Sequence, residues 1–198
     1  MHCMTHTSDT RPPIWHNGWL SYAQHLPSPN YGSRPEAVSI CLAVVHSISL
    51  PPGKYGTGCV QKLFTNQLDW DAHPYFQSIR GLEVSSHFFI TRQGEVWQFV
   101  SCDDRAWHAG QSQWCGQANC NDFSIGIELE GLEGLTFEDT QYQALSQLCR
   151  DLVAHYPVTQ IAGHEHIAPG RKQDPGPGFD WARLQAKLQS VSLQFPQS

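Results

Sequence analysis

The run AVSICLAVVH, residues 37–46, constrains the fold of this chain more than any other feature. Apolar and β-branched residues follow one another with almost no polar alternation, a pattern typical of a strand that is buried on both faces. Such a strand has to lie in a sheet that carries a layer of structure on each side. The run ends at His46, which therefore stands at the carboxyl end of a predicted central strand.

Strand-like and helix-like segments are interleaved along the rest of the chain. Short helices are predicted at CVQKLFTN and at HPYFQSIRG, whose Gly81 is a candidate C-cap, and a last helix is predicted at FDWARLQAKLQS. A β-hairpin is predicted at VSSHFFITRQGEVWQFV and a short strand at VTQIAG. These patterns predict an α/β fold in a single domain, with a central mixed β-sheet flanked by helices.

The segment TFEDTQYQALSQLCRDLVAHYP gives the strongest helix prediction. It opens with a Thr136-x-x-Asp139 capping pattern and carries apolar residues at helical spacing. Pro157 is expected to end the helix.

Two other segments are predicted to lack regular structure. Residues 1–35 are polar, rich in proline and aperiodic, so we expect an irregular surface arm whose first dozen residues are disordered. Residues 102–122 are too polar and too rich in glycine for a regular element. A loop of that length inside a compact domain is usually functional.

The composition argues against several classes of function. The net charge is −6 and no more than two Lys or Arg residues are adjacent, so the chain lacks the basic patch of a nucleic-acid-binding protein. No segment has the roughly 20 apolar residues of a membrane span, and the N-terminal residues lack the pattern of a secretory signal. We therefore expect a cytoplasmic protein without a nucleic-acid or membrane partner, and no obligate protein partner is indicated.

The seven cysteines form an odd set without a C-x-x-C pair. Cys41 and Cys149 lie within apolar runs, so the cysteines are interpreted as reduced and mostly buried thiols of a cytoplasmic protein. A disulfide between Cys115 and Cys120 in the long loop is the alternative.

Two histidines stand at strand ends, His46 after CLAVV and His164 after VTQIAG. Side chains at the carboxyl ends of neighbouring strands converge in α/β sheets, and two imidazoles with one carboxylate form a common catalytic zinc set. Asp174 is the candidate carboxylate, because the proline after it favours an extended backbone that turns Lys172 to the same side. The rival ligands that remain are His166, His87 and His108.

The run FSIGIELEG predicts a strand with one apolar face and one face that carries Glu128 and Glu130. The two carboxylates would lie about 6.5 to 7 Å apart, near the spacing of an acid and base pair in glycosidases. A solvated strand face is the simpler alternative. Gly126 favours a functional face, since a missing side chain leaves room for a ligand to approach.

Several motifs together resemble a known family. HSISLPPG, HPYF, RAWHAG, CNDFSIGIELEG, FEDTQY and GHEHIAPGRKQDPGPGFDW, in this order, are similar to motifs of the zinc-dependent N-acetylmuramyl-L-alanine amidases, which share a fold with peptidoglycan-recognition proteins. The sequence resembles above all the cytoplasmic AmpD type, which acts on 1,6-anhydromuropeptides during cell-wall recycling. The resemblance implies a zinc cofactor and a small muropeptide substrate, cut between N-acetylmuramic acid and L-alanine. It also implies an indirect effect on β-lactamase induction.

The resemblance also implies a role for particular residues. The implied zinc ligands are His46, His164 and Asp174. Glu128, rather than Glu130, would be the catalytic carboxylate, and Lys172 would stabilise the transition state. The implied active-site and substrate-cleft residues are Tyr75, Ser47, Arg105 and Trp107. His166 would lie near the site without binding the metal.

The sequence departs from the family pattern at a few positions. Ser47 stands where relatives often have Asn, Glu165 and His166 stand where other residues are usual, and an extra segment precedes Gly18. The expected organisation is a flexible extension at 1–17, the amidase domain at 18–190 and a tail at 191–198. Two other functions remain open besides the glycosidase: a periplasmic amidase that acts on intact peptidoglycan, and a binding module without activity.

Overall fold

A computed structural model describes residues 14–196 of the chain. Its strands are Trp15–His16 (β1), Trp19–Leu20 (β2), Gln24–His25 (β3), Tyr31–Gly32 (β4), Leu42–Ile48 (β5), Phe88–Ile90 (β6), Val96–Gln98 (β7), Arg105–Ala106 (β8), Gln113–Trp114 (β9), Gln117–Ala118 (β10), Ser124–Glu130 (β11) and Gln160–Gly163 (β12). Its α-helices are Cys59–Phe64 (α1), Pro74–Ser78 (α2), Asp139–His155 (α3), His164–Ile167 (α4) and Trp181–Lys187 (α5). None of these helices is long and apolar enough to cross a bilayer.

A six-stranded sheet organises the molecule, with the strand order β12-β5-β11-β6-β7-β3. The strands β12, β5, β11 and β6 run parallel, and the predicted hairpin β6–β7 is antiparallel. The prediction of a mixed sheet flanked by helices is therefore confirmed. The apolar run that ends at His46 forms β5, the second strand of the sheet, and both of its faces are buried.

The two faces of the sheet bury different apolar clusters. Ala43 and Val45 of β5 pack with Ile125 and Ile127 of β11 in a large cluster that includes α3 and α5. Leu42 and Val44 point to the opposite face. The period-2 alternation of both strands thus separates a purely structural face from the face that carries His46 and Glu128.

The helix α3 has the predicted apolar stripe and ends at His155, with Tyr156 as its C-cap just before Pro157. Its N-terminus differs from the prediction, because the N-cap is Glu138 rather than Thr136. Glu138 and Gln141 form a reciprocal capping box, in which the backbone N–H of Glu138 donates to the Gln141 side chain at 3.0 Å. The capping pattern was predicted in the correct turn, but it was assigned to Thr136 and Asp139.

The N-terminal residues that the structure describes are not an irregular arm, contrary to the prediction. β1 and β2 form a hairpin that buries Trp15 and Leu20 in the large cluster. Gln98 holds this hairpin, since its side-chain oxygen accepts from the Leu20 N–H at 2.7 Å and its amide donates to the Gly18 carbonyl at 2.8 Å. The predicted disorder of the first dozen residues lies outside the described residues.

The packed unit also crosses both expected domain boundaries. The hairpin β1–β2 spans the expected boundary at residue 18. Beyond residue 190, Val191, Leu193 and Phe195 pack against the large cluster. The Gln194 carbonyl accepts a hydrogen bond from the Ile161 N–H at 2.9 Å, which ties this segment to β12.

Residues 102–122 contain more structure than predicted. The segment includes β8, β9, β10 and a single 3-10 turn at Cys120–Asp122. The six cysteines that the structure describes are free thiols, so the alternative disulfide between Cys115 and Cys120 is not formed. Cys102, Cys120 and Cys149 are buried.

Arg34 holds this segment against the sheet. Its guanidinium donates to the carbonyls of Cys102, Asn121, Asp122 and Ser124, at N···O distances between 2.9 and 3.3 Å. Burial lowers the pKa of Arg34 from its ordinary value. One side chain therefore satisfies backbone groups at both ends of the long loop.

Replacing Arg34 with methionine is expected to lower the free energy of unfolding by about 3 kcal/mol or more, because several carbonyls lose a charged donor. Urea denaturation of both proteins measures this loss. The control is Arg80→Met, which removes an exposed guanidinium paired with Asp71 at the surface and should cost at most about 1 kcal/mol. Equal losses of stability in the two variants would show that Arg34 does not hold residues 102–122 against the sheet.

Candidate active site and metal centre

Three parallel strands place the candidate site residues side by side. Glu128 on β11 is in register with His46 on β5. Gly163 on β12 pairs with Val45, so the next residue, His164, lies level with His46. Neighbouring strands are about 4.8 Å apart, and the three side chains therefore meet at the carboxyl end of the sheet.

His46, His164 and Asp174 form a buried group that could hold a metal ion, with one ligand atom from each residue inside 4.8 Å. The two Nδ1 atoms are 2.9 Å apart, and the Asp174 Oδ2 atom lies 3.2 Å from His46 and 3.1 Å from His164. Ligand atoms around one zinc ion, with bonds of about 2.0 Å in tetrahedral geometry, are roughly 3.3 Å apart. The three atoms are thus spaced as the ligand atoms of a single metal centre would be.

The charges at this group suit a divalent cation. Burial, with a further contribution from His164, lowers the pKa of His46 to about 4. Burial alone would raise the pKa of Asp174, but its close contacts with His164 and His46 outweigh burial and hold that pKa below its ordinary value. Neutral imidazoles and an ionised carboxylate are the forms that bind metals.

A hydrogen bond to the backbone fixes the tautomer of His164. Its Nε2–H donates to the Ala109 carbonyl at 3.1 Å, which leaves Nδ1 unprotonated toward the other two ligand atoms. The Arg171 guanidinium donates to the same carbonyl at 2.7 Å and holds this part of the long loop in place.

Glu128 is a buried carboxylate without a complete set of partners. It is 9% exposed and its Oε2 atom has no hydrogen-bond partner. Burial, and then the charge of Asp174, raise the pKa of Glu128 well above its ordinary value. A carboxylate with a free oxygen and a raised pKa is suited to accepting and releasing a proton.

Glu130 lies on the same face of β11 but has a different environment. It accepts hydrogen bonds from the backbone N–H groups of Gly56, at 2.5 Å, and Arg92, at 3.1 Å. Both carboxylates are buried, so the alternative of a solvated strand face does not hold. Because the oxygens of Glu130 are used in holding two loops, the glycosidase alternative lacks its second carboxylate.

A cavity of about 320 Å³ opens beside these groups, and we call it the site cavity. The predicted site residues that line it are Ser47, Tyr75, Trp107, Glu128, His164, Lys172 and Asp174. An apolar wall is formed by Leu50, Leu63, Phe64, Ile79, Leu82 and Val84. Arg105 does not line the cavity, because its Nε atom pairs with the Asp122 carboxylate at 2.5 Å.

The segment after α4 brings Lys172 and Asp174 to the same cavity, as predicted, and the Lys172 N–H donates to the Ala168 carbonyl at 3.0 Å in the turn that follows the helix. His166 is turned away from the three-residue group, since its Nδ1 accepts a hydrogen bond from the Gly163 N–H at 2.9 Å. Its ring lies 5.5 Å from the ring of Trp181.

The surroundings of Gly126 correct one expectation. A Cβ atom at this position would lie 2.4 Å from Cγ of His108, so the space is filled by an imidazole of the chain and not by a ligand. Burial lowers the pKa of both His108 and His87. His87 accepts a hydrogen bond from the Gly126 N–H at 3.0 Å and is not part of the metal group. The glycine in a strand indicated a close approach, but it could not identify the approaching group.

The fold and the site define a class of hydrolase. A family model for N-acetylmuramoyl-L-alanine amidases matches residues 37–177. The chain therefore belongs to the N-acetylmuramoyl-L-alanine amidase family and is an enzyme of that class, as its motifs predicted.

Within the family the chain is similar to AmpD proteins. The 1,6-anhydro-N-acetylmuramyl-L-alanine amidase AmpD of Salmonella typhimurium (strain SL1344) is 52% identical over 171 residues, which cover 85% of this chain and 91% of that protein. The crystal structure of a Se-Met AmpD derivative superposes with a TM-score of 0.86 at 50% identity, covering 88% of this chain and 99% of that one. The predicted resemblance to the AmpD type is thus confirmed.

A more distant structure contains a ligand. AmiD from E. coli, in complex with the substrate anhydro-N-acetylmuramic acid-L-Ala-D-gamma-Glu-L-Lys, has a TM-score of 0.56 and 31% identity, over 78% of this chain and 60% of that chain.

Proposed function

We propose that the protein is a zinc-dependent amidase that cuts the bond between N-acetylmuramic acid, preferably in its 1,6-anhydro form, and the L-alanine of soluble muropeptides. The observation that carries this proposal is the buried group of His46, His164 and Asp174 beside the free carboxylate oxygen of Glu128, both at one cavity. Two imidazoles and one carboxylate leave a position open in a tetrahedral site, which is typical of catalytic zinc.

The chain's own residues supply the remaining chemistry. A bound zinc ion would act as a Lewis acid at the scissile carbonyl and would acidify water. Glu128 accepts the proton of the attacking water and passes it to the leaving amine of L-alanine. Lys172 stabilises the negative charge that develops on the carbonyl oxygen, a contribution of about 100- to 1000-fold in rate. The apolar wall of the site cavity excludes bulk water from these groups.

The names of similar proteins support the choice of substrate. The AmpD relative is named for the 1,6-anhydro substrate, and the AmiD complex contains an anhydromuramyl tripeptide. We place the protein in peptidoglycan recycling in the cytoplasm. An altered muropeptide pool would change β-lactamase induction indirectly.

The decisive experiment compares two substrates for the metal-replete protein. We expect release of free tripeptide or tetrapeptide from soluble anhydromuropeptide and none from intact sacculi, as read by mass spectrometry. Treatment with a chelator should abolish release and added zinc should restore it.

Each other outcome would point to another function. Release from sacculi alone would indicate an amidase of intact peptidoglycan. Binding of the muropeptide without release would indicate a module without activity. Full activity in the presence of chelator would contradict the metal proposal.

A further inference from the structure

His108 is a buried histidine next to the metal group that has no role in the mechanism described above. It is 8% exposed and lies between His46 and the strand β11. The Asn121 side-chain oxygen accepts hydrogen bonds from the backbone N–H groups of His108 and Ala109, at 3.1 and 2.8 Å. The position of the ring is therefore fixed from the backbone outward.

The hydrogen bonds around His108 form a series that ends at the Cys120 carbonyl. Because a carbonyl can only accept, this end sets the direction of each hydrogen bond in the series. The Ser124 hydroxyl donates to the Cys120 carbonyl at 2.5 Å, and this uses its only proton. At the 3.2 Å contact between Ser124 Oγ and His108 Nε2, the ring nitrogen has to be the donor. A neutral imidazole carries one N–H, so the Nδ1 atom of His108 can only accept.

The series of hydrogen bonds continues from His108 to the metal group. His46 Nε2 lies 2.9 Å from His108 Nδ1 and has to donate to it. The proton of the His46 imidazole is then on Nε2, and the Nδ1 atom that faces His164 and Asp174 is unprotonated. A single series of hydrogen bonds thus runs from His46 through His108 and Ser124 to the Cys120 carbonyl.

We propose that His108 and Ser124 are positioning residues that set the tautomer of His46, so that its Nδ1 atom is available to a metal before the metal binds. This inference rests on the proposed metal site. The Cys120 carbonyl determines the direction of every hydrogen bond in this series. His164 needs no such relay, because its Nε2–H donates directly to a backbone carbonyl at Ala109.

The close packing of His108 supports a positioning role. Its ring rests on Gly126, where a Cβ atom would come within 2.4 Å, so the strand is shaped to admit an imidazole at this depth. The His46 and His108 rings meet edge to face, at an interplanar angle of 86°. Loss of a partner that orients a metal-binding histidine typically costs about 10- to 100-fold in metal affinity.

The first test is His108→Phe, which keeps a ring but removes the acceptor for His46. We expect the zinc dissociation constant, measured by competition with a chelator, to rise about 10- to 100-fold. Ring-nitrogen NMR of the zinc-free protein should show His46 as the Nε2–H tautomer in the wild type. In the variant it should show a mixture that includes Nδ1–H.

Two further variants separate the relay from simple packing. Ser124→Ala changes little volume, but it removes the oxygen that receives the His108 Nε2–H, so it should also weaken zinc binding and broaden the tautomer population. His108→Gln offers both an amide donor and a carbonyl acceptor, so it should recover part of the affinity that His108→Phe loses.

The matched control is His87→Phe. His87 is buried and hydrogen-bonded to Gly126 and Asp104 but has no hydrogen bond to the metal group. This variant should lose stability and keep its zinc affinity.

An unchanged zinc affinity in both His108→Phe and Ser124→Ala would overturn the proposal, as would a His46 Nδ1–H tautomer in the zinc-free wild type. A wild-type protein that binds zinc but releases no peptide would contradict only the proposed function. The tautomer measurement needs no metal and no substrate, so it tests the relay in either case.

Discussion

Asp174→Ala is expected to abolish zinc binding and amide hydrolysis together. Asp174 Oδ2 lies within 3.2 Å of the ligand nitrogens of both His46 and His164, and it is the only carboxylate of the three-residue group. Its removal leaves only the two histidine ligands, which form an incomplete site. The loss of zinc affinity should exceed the 10- to 100-fold that changes to outer partners cause, because a ligand itself is missing.

Elemental analysis gives the zinc content of the purified variant, and thermal denaturation gives a second measurement. A ligand that binds only the folded state raises its stability with concentration, so zinc should raise the Tm of the wild type and leave that of Asp174→Ala unchanged. The control is Asp71→Ala, which removes an exposed carboxylate at the surface and should bind zinc normally. A variant at Asp174 that retains one zinc per chain would rule out this ligand set.

The central strands and their polar end residues could be predicted because their signals are local. A continuous apolar run gives β5, strict alternation gives β11, and both patterns end at a histidine or carry a carboxylate. Lys172 and Asp174 are two residues apart in sequence, and this short separation was enough to predict that both reach the same cavity. The convergence of His46 and His164 followed from the general behaviour of strand ends in α/β sheets.

The rest of the structure depends on partners that are distant in sequence. The strands β1 and β2 are two residues long, too short for any periodicity, and they exist because Gln98 and the large apolar cluster hold them. Arg34 gives order to a loop that begins some seventy residues later, and no local pattern could indicate that pairing.

Glu128 and Glu130 lie on one strand, and the sequence could not predict the difference between their environments for the same reason. Alternation places both carboxylates on one face, but only the three-dimensional structure shows that Glu130 accepts from two backbone N–H groups while Glu128 Oε2 accepts from none. His108 was kept as a rival ligand because its residue type suits a metal, whereas the structure gives it a contact with the ligand His46.

Glu128→Gln is expected to keep zinc and to lose about 10²- to 10⁴-fold in kcat, since an amide cannot accept the proton of the attacking water. The matched control is Glu130→Gln, which changes the neighbouring carboxylate on the same face without touching the site cavity. That variant should retain its turnover and lose stability, because it weakens hydrogen bonds to Gly56 and Arg92. A fully active Glu128→Gln protein would refute the assigned role.

The same substitution should also raise stability, in a pH-dependent way. Burial, followed by the charge of Asp174, raises the pKa of Glu128 in the folded protein above its value in the unfolded chain, so the folded state prefers the protonated form. The stability linked to this proton is complete below the unfolded pKa of about 4.3 and is lost as the pH rises through the folded pKa. Glutamine does not ionise and suffers no such loss.

Zinc-free Glu128→Gln should therefore be more stable than the zinc-free wild type near about pH 8, by roughly 1–3 kcal/mol, which is the cost of a buried polar atom without a partner. The difference should shrink toward zero as the pH falls below about 4, where the wild-type carboxyl is mostly protonated in both states. Urea denaturation of the two proteins across this range measures it. A stability difference that is constant with pH, or that grows as the pH falls, would contradict the raised pKa of Glu128. It would then favour a fully ionised carboxylate that the surroundings already stabilise.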